Sequence, residues 1–158
     1  MRVLYTYSGN MYGGVESLLV TLARHRHLCP EMDPEFALCF EGRLSRELRE
    51  SGVSVHLLGE VRVSQPMTVL RARRRLRDLF QRERFDVVAC HSAWSQAILG
   101  PVVRAAGLPL VFFPATDGFD THSQQVAHVF LRDRQPPPDL QRTEDRFVVF
   151  DSRHLVPP

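Results

Sequence analysis

Residues 1–28 read MRVLYTYSGNMYGGVESLLVTLARHRHL, and the fold class follows from how this stretch divides. Arg2-Val3-Leu4-Tyr5-Thr6-Tyr7 has the β-branched and aromatic content of a strand buried on both faces. Ser8-Gly9-Asn10-Met11-Tyr12-Gly13-Gly14 is turn chemistry. The paired glycines let backbone approach a ligand with no Cβ in between. Val15, Leu18, Leu19 and Leu22 then recur at i, i+3, i+4 and i+7, one face of a helix. A strand fed into a helix through Gly13-Gly14 sets bare N–H groups and the positive end of a helix dipole at one point. That is an anion site suited to phosphate.

The same alternation continues downstream. Pro30 and Pro34 punctuate a polar loop, and residues 35–40 (EFALCF) read as a second strand closed by Glu41-Gly42. A short helix around Leu44 and Leu48 runs to Glu50, and Ser51-Gly52 ends it as a C-cap. Residues 53–58 form a third strand, and Pro66 opens a long helix with an apolar stripe at Val69, Ala72, Leu76, Leu79 and Phe80. Residues 86–91 form a fourth strand, and a helix from Ser92 to Ala106 contains Pro101, which should kink or split it. Leu108 to Phe113 is a fifth strand, and 146–150 (RFVVF) a sixth. Between them periodicity weakens: 114–145 is expected to be a weakly ordered insertion with one helix, Gln124 to Arg132, and the breaker Pro136-Pro137-Pro138. Strands alternating with helices imply one α/β domain over 1–158, a Rossmann-like parallel sheet of about six strands with helices on both faces. Ligands of such sheets sit at the carboxyl ends of the strands. That rule gathers Gly13-Gly14, Glu41, His91-Ser92 and the loop 115–117 at one edge.

Composition narrows the classes. The chain has 158 residues, 44% hydrophobic and 24% charged, as a soluble globular domain with one core would. It shows no apolar run long enough for a membrane span and no secretory leader, and its three cysteines are scattered without metal spacing. The expectation is a cytoplasmic protein with reduced, half-buried thiols. All 20 basic residues are arginine, against 18 acidic ones, for a net charge of +2. A basic run at Arg71, Arg73, Arg74, Arg75 and Arg77 covers the solvent side of the long helix. Anionic lipid headgroups are its favoured functional partner, and a chain this near neutrality is not read as binding nucleic acid.

The glycines at 9, 13 and 14 fit neither a P-loop nor the dinucleotide spacing, which leaves Glu41 as the only support for an NAD-type domain. His91, closing a strand, suits hydrogen bonding to a polar ligand or proton transfer, or is a satisfied strand-end histidine. No histidine pair has zinc spacing, and no Gly-x-Ser-x-Gly elbow occurs.

In order and spacing, four segments resemble the N-terminal domain of family-four retaining glycosyltransferases of the GT-B fold. They are Arg2–Tyr7 with Gly13-Gly14-Val15-Glu16; Phe85 to Ser92 (FDVVACHS); Gly107 to Phe113 (GLPLVFF); and Phe147 to Arg153 (FVVFDSR). The resemblance implies one half of a two-domain enzyme that moves a sugar from a nucleotide-sugar donor to a carbohydrate or lipid-linked acceptor, with no metal or other cofactor. It places Gly13 and Gly14 against the donor diphosphate, and Tyr12, His91, Ser92 and Asp117 along the acceptor side of the cleft. Pro114-Ala115-Thr116 stands where many relatives carry a histidine, so Asp117 is the nearest polar substitute, and no catalytic residue is assigned. The nucleotide-binding half is absent from these residues, so they are expected not to turn over alone. The alternatives are a non-catalytic Rossmann-like interaction module and the NAD-type domain.

Overall fold

The computed structural model describes residues 1–10 and 13–113, together with the backbone of three strand segments at 127–130, 142–143 and 147–150. The elements are β1 (Arg2–Tyr7), α1 (Gly14–Arg24), β2 (Asp33–Leu38), α2 (Arg43–Glu50), β3 (Val55–Leu57), α3 (Pro66–Arg82), β4 (Val87–His91), α4 (Ala93–Ala105), β5 (Leu110–Phe113), β6 (Ala127–Phe130), β7 (Arg142–Thr143) and β8 (Phe147–Phe150). The sheet runs β3-β2-β1-β4-β5-β6-β8-β7. Its first five strands are parallel. From β1 the chain winds outward to β2 and β3, then returns to lay β4 on the other side. The order therefore reverses between β1 and β4, and their carboxyl ends open the crevice where ligands of this architecture bind.

Alternate β1 residues feed two cores. Val3 and Tyr5 pack with Leu19, Val20 and Ala23 of α1 and Leu44 and Leu48 of α2. Leu4 packs on the opposite face with Leu76 and Leu79 of α3 and Leu99 and Val103 of α4. Both faces are covered, which is why β1 and β4 carry almost unbroken apolar runs. Gly52, past the end of α2, takes the positive φ of +74° that the expected C-cap requires.

The structure corrects the sequence reading in four places. First, the strand at 147–150 is antiparallel: β8 pairs with β6, and β6 with β5. Second, the helix expected from Gln124 to Arg132 is a strand over Ala127–Phe130, in register with β5 as Leu110↔Phe130 and Phe112↔His128. A short apolar run does not distinguish helix from strand by periodicity, and here the open edge of β5 offers backbone partners to a Val- and Phe-bearing segment. Apart from β7 at Arg142–Thr143, the remainder of the 114–145 insertion lies outside the described residues. Third, Pro34 belongs to β2. It shares the parity of Phe36, whose N–H points toward the β3 side and donates to Ser54 O at 2.9 Å. The pairing of β3 starts only at Phe36, so the donor that Pro34 lacks would have met no partner strand.

Fourth, of the two outcomes expected at Pro101, a kink or a split, the split does not occur: α4 runs through it as one element. A proline at that position leaves the Ala97 carbonyl without its helical donor. Arg73 of α3 supplies one, with Nη2 at 3.3 Å from Ala97 O and Nε at 2.7 Å from Ile98 O. Arg73 is thus half-buried and structural, whereas Arg71, Arg74, Arg75 and Arg77 are exposed as expected. All three cysteines are free: Cys39 and Cys90 are buried, and Cys29 is exposed rather than half-buried. Burial pushes the Cys39 thiol up to about 12 and the Cys90 thiol up to about 11, so both are inert at ordinary pH.

Candidate functional site

Gly13 and Gly14 follow β1, and His91 closes β4, at the same carboxyl edge of two adjacent parallel strands. Gly13 caps α1, and its extended backbone (φ −157°) is one any residue adopts. Glu16 folds back to take the Gly13 N–H on Oε2 at 2.8 Å, the N3 half of a capping box, since glycine has no side chain to accept in return. Gly13 and Gly14 are exposed, but the Gly13 donor is therefore occupied by the chain's own carboxylate. Gly14 is the first residue of α1, so its N–H has no acceptor within the helix, and the anion-binding capacity of the turn begins there.

Glu16 itself entered the sequence reading only as part of the Gly13-Gly14-Val15-Glu16 segment, with no role given to it. It is only 2% exposed, and its second oxygen, Oε1, has no partner among the described residues. Tyr7, at the end of β1, lies beside this carboxylate. Burial first, and the Glu16 neighbour second, push the Tyr7 phenol up to about 12, so it stays a neutral donor. The capping-box spacing, with Glu three residues after the N-cap Gly13, was the available signal.

His91 is 5% exposed. Its ring stacks on Phe113 with centroids 4.6 Å apart and planes 8° from parallel, and lies tilted against Tyr5 at 5.7 Å. Nε2 is buried with no partner among the described residues. Burial drives the imidazole down to about 4, so near neutral pH it is uncharged and one nitrogen remains able to accept. Among the described residues, then, His91 lies in an apolar sandwich and Nε2 is left without the partner a satisfied strand-end histidine would have.

Ser92 follows in a backbone conformation rare for a residue with a side chain, φ +135° and ψ 149°. Strain of this kind persists where surrounding structure enforces it, often at sites. Ser92 Oγ accepts from Ser95 N at 3.1 Å and lies 2.6 Å from Ser95 Oγ, which caps α4. The structure thus brings Gly13, Gly14, His91 and Ser92 to one edge. Tyr12 and Asp117 lie outside the described residues. Glu41 is turned to solvent and paired with Arg49 at 2.9 Å, so its carboxylate is already engaged. Among the described residues no group of three or more side chains is placed to hold a metal, and no helix is long and apolar enough to cross a membrane.

This half-sheet recurs in solved structures. Acinetobacter baumannii MurG superposes with a TM-score of 0.58 at 16% identity, over 75% of this chain and 36% of that one. A glycosyltransferase from Rickettsia africae gives 0.57 at 17%, over 70% and 28%. Anabaena HepE in complex with UDP and glucose gives 0.51 at 16%, over 71% and 29%. At such identities the likeness establishes the fold, one Rossmann-like half of the GT-B architecture, and the chain spans about a third of each neighbour's length. A UDP-GlcNAc 2-epimerase from Neisseria meningitidis shares that half at 12% identity, so the fold is not confined to transferases. No curated protein matches the chain in sequence. The glycosyl transferase 4-like domain matches residues 14–150, and the chain belongs to that family.

Proposed function

We propose that these residues form the acceptor-side half of a family-four, retaining glycosyltransferase of hexosyl type. It moves a sugar from a nucleotide-sugar donor to a carbohydrate or lipid-linked acceptor, without a metal or other cofactor, on the cytoplasmic side of a membrane. The observation that carries the reading is the pairing of a glycine-capped helix start with a neutral, orphaned His91 at the β1/β4 crevice. In this scheme the Gly14 N–H and the α1 dipole face the donor diphosphate, as both would be drawn to negative charge. His91 Nε2 exchanges a hydrogen bond with a sugar or acceptor hydroxyl, and Ser92 Oγ lines the rim; Tyr12 and Asp117 complete the acceptor side. Glycosyl transfer needs donor and acceptor positioned from two walls and the leaving diphosphate stabilised as charge develops. These residues supply one wall, so they do not turn over by themselves.

An acceptor carried by lipid would be met at a membrane, and the α3 surface fits one. β3 delivers the chain to the carboxyl edge, where Val63, Met67 and Leu70 stand 67%, 68% and 55% exposed beside Arg71, Arg74 and Arg77. Apolar residues ringed by arginine suit peripheral contact with anionic headgroups. Titration with UDP and GDP, with and without a nucleotide-binding C-terminal domain supplied in trans, tests the central reading. Tight nucleotide binding is expected only in the pair, and should weaken when Gly14→Val blocks approach to the diphosphate. Full-strength UDP binding by these residues alone, or a Gly14→Val pair that binds and transfers normally, overturns it.

A further inference from the structure

Two strands away from the glycine loop, a groove of about 310 Å3 runs between β3 and α3, lined by His56, Leu57, Leu58, Arg75, Leu79 and Arg82. Arg75, Leu79 and Arg82 fall at i, i+4 and i+7, one stripe of the helix turned toward the edge strand. The leucines form an apolar floor between two guanidinium groups. Arg2, Arg24, Arg43, Arg49 and Arg62 each have a carboxylate within 4.0 Å, but among the described residues Arg75 and Arg82 have none. Asp78, between them in sequence, makes no ion pair with either; Arg82 Nε donates only to its backbone carbonyl, at 3.2 Å.

The remaining negative charge near this groove is directed away from it. Glu35 is buried, accepts from Arg2 on Oε1, and lies 2.7 Å from His56 Nε2 through Oε2. Burial alone would raise its pKa, but the hydrogen bonds from His56 and Arg2 outweigh that and hold it below the usual carboxylate range. An ionised carboxylate only accepts, so Nε2 is the protonated nitrogen and the Glu35 charge is spent inside the network. On the other wall stands Gly59, whose φ of +90° favours glycine in its own right. A Cβ at Gly59 would lie 2.5 Å from Arg75 Nη1, so Arg75 lies directly against bare backbone.

From this arrangement we propose that the β3–α3 groove binds a phosphate group, gripped by the Arg75 and Arg82 forks, with the leucine floor under the organic part of the phosphate ester. Their Cα atoms are two helical turns apart, roughly 10 Å. Extended guanidinium side chains span that distance onto a diphosphate or close it onto a single phosphate. The groove is independent of the crevice at β1 and β4. Its phosphate comes either from a lipid headgroup, since α3 also carries the exposed apolar residues, or from a soluble phosphorylated compound.

Titration of the isotope-labelled 158-residue chain with inorganic phosphate and pyrophosphate, followed at the arginine Nε–H signals, tests the site. The Arg75 and Arg82 signals should move together. R75Q/R82Q should weaken pyrophosphate binding roughly tenfold, whereas R71Q/R77Q, with the same charge change on the outer face, should stay within about twofold. Vesicles of phosphatidylglycerol and of phosphatidylcholine separate the sources. A headgroup ligand predicts that R75Q/R82Q loses phosphatidylglycerol vesicles more than R71Q/R77Q does. A soluble ligand predicts the reverse, with R71Q/R77Q losing phosphatidylglycerol vesicles more because its arginines face the headgroups, and pyrophosphate binding lost only in R75Q/R82Q. Static Arg75 and Arg82 signals throughout, or the same loss of pyrophosphate in both variants, overturn the proposal.

Discussion

Replacing His91 with phenylalanine isolates the electrostatic consequence of burying an imidazole at the crevice. The ring sits in an apolar sandwich, stacked on Phe113 at 4.6 Å, so His91→Phe preserves shape and packing while removing the titration. Burial takes the imidazole from 6.5 to about 4. At about 1.4 kcal/mol per unit, that gap corresponds to roughly 3 kcal/mol. Between those two pH values the unfolded chain binds a proton that the folded chain refuses, so acid favours unfolding. The penalty is absent above the unfolded value, grows as the pH falls, and levels off below the folded one. Urea unfolding of both proteins from about pH 7.5 to about pH 4.5 measures it, because the carboxylates titrate alike in both and cancel in the difference. His91→Phe should gain about 2 kcal/mol relative to the wild type across that window. Parallel stability curves would show that His91 finds a partner for Nε2 or swings into water, and the account of a neutral orphan would fail.

Three further outcomes follow from named contacts. Arg73→Met should cost about 2 kcal/mol, or roughly 4–8 °C in melting temperature, but about 1 kcal/mol less in a Pro101→Ala background, where the Ala97 carbonyl regains its own donor. A calorimetric double-mutant cycle with no coupling would show that the guanidinium is not covering for the proline. Glu35→Gln should lose stability at neutral pH and lose less of it in acid. The depressed Glu35 pKa contributes stability above its unfolded value and forfeits it as pH falls through its folded one; an acid-unfolding profile of unchanged slope would contradict this. At Ser92 stability should rank Gly above Ser above Ala, with steps of about 1 kcal/mol. Glycine relaxes the positive φ at little capping cost, whereas alanine keeps the strain and loses the cap. Chemical denaturation placing alanine above serine would rule out strain at this position.

What was readable in the sequence was what local chemistry dictates. The Arg2–Tyr7 strand, the start of α1 after Gly13 and the β4–His91–Ser92 junction fell at their expected positions, because apolar periodicity and turn residues act within a few neighbours. The α1 face did not, since the helix buries Glu16, Leu19, Val20 and Ala23 and leaves Leu18 exposed where Val15, Leu18, Leu19 and Leu22 were expected. The arginine run illustrates the limit. Arg73 and Arg74 are adjacent and chemically identical, yet only Arg73 is drawn inward, by a carbonyl that Pro101 frees on another helix. Such a pairing depends on how α3 crosses α4, which no window of sequence contains. The direction of β8 and the strand at 127–130 were hidden for a related reason: both depend on the free edge of β5. Likewise His91 could be placed at the edge, but its orphaned nitrogen depends on Phe113, a residue from the next strand.

The Glu16 bond to Gly13 has a kinetic implication. An empty phosphate turn ordinarily has nothing to hold its amides in place, and fixing them is part of the cost of capture. Here a tethered carboxylate takes an anion's place at the Gly13 amide, so that donor is already held and already engaged. In the role proposed above for the turn, such a device would trade grip for readiness, favouring rapid exchange of a diphosphate over tight retention.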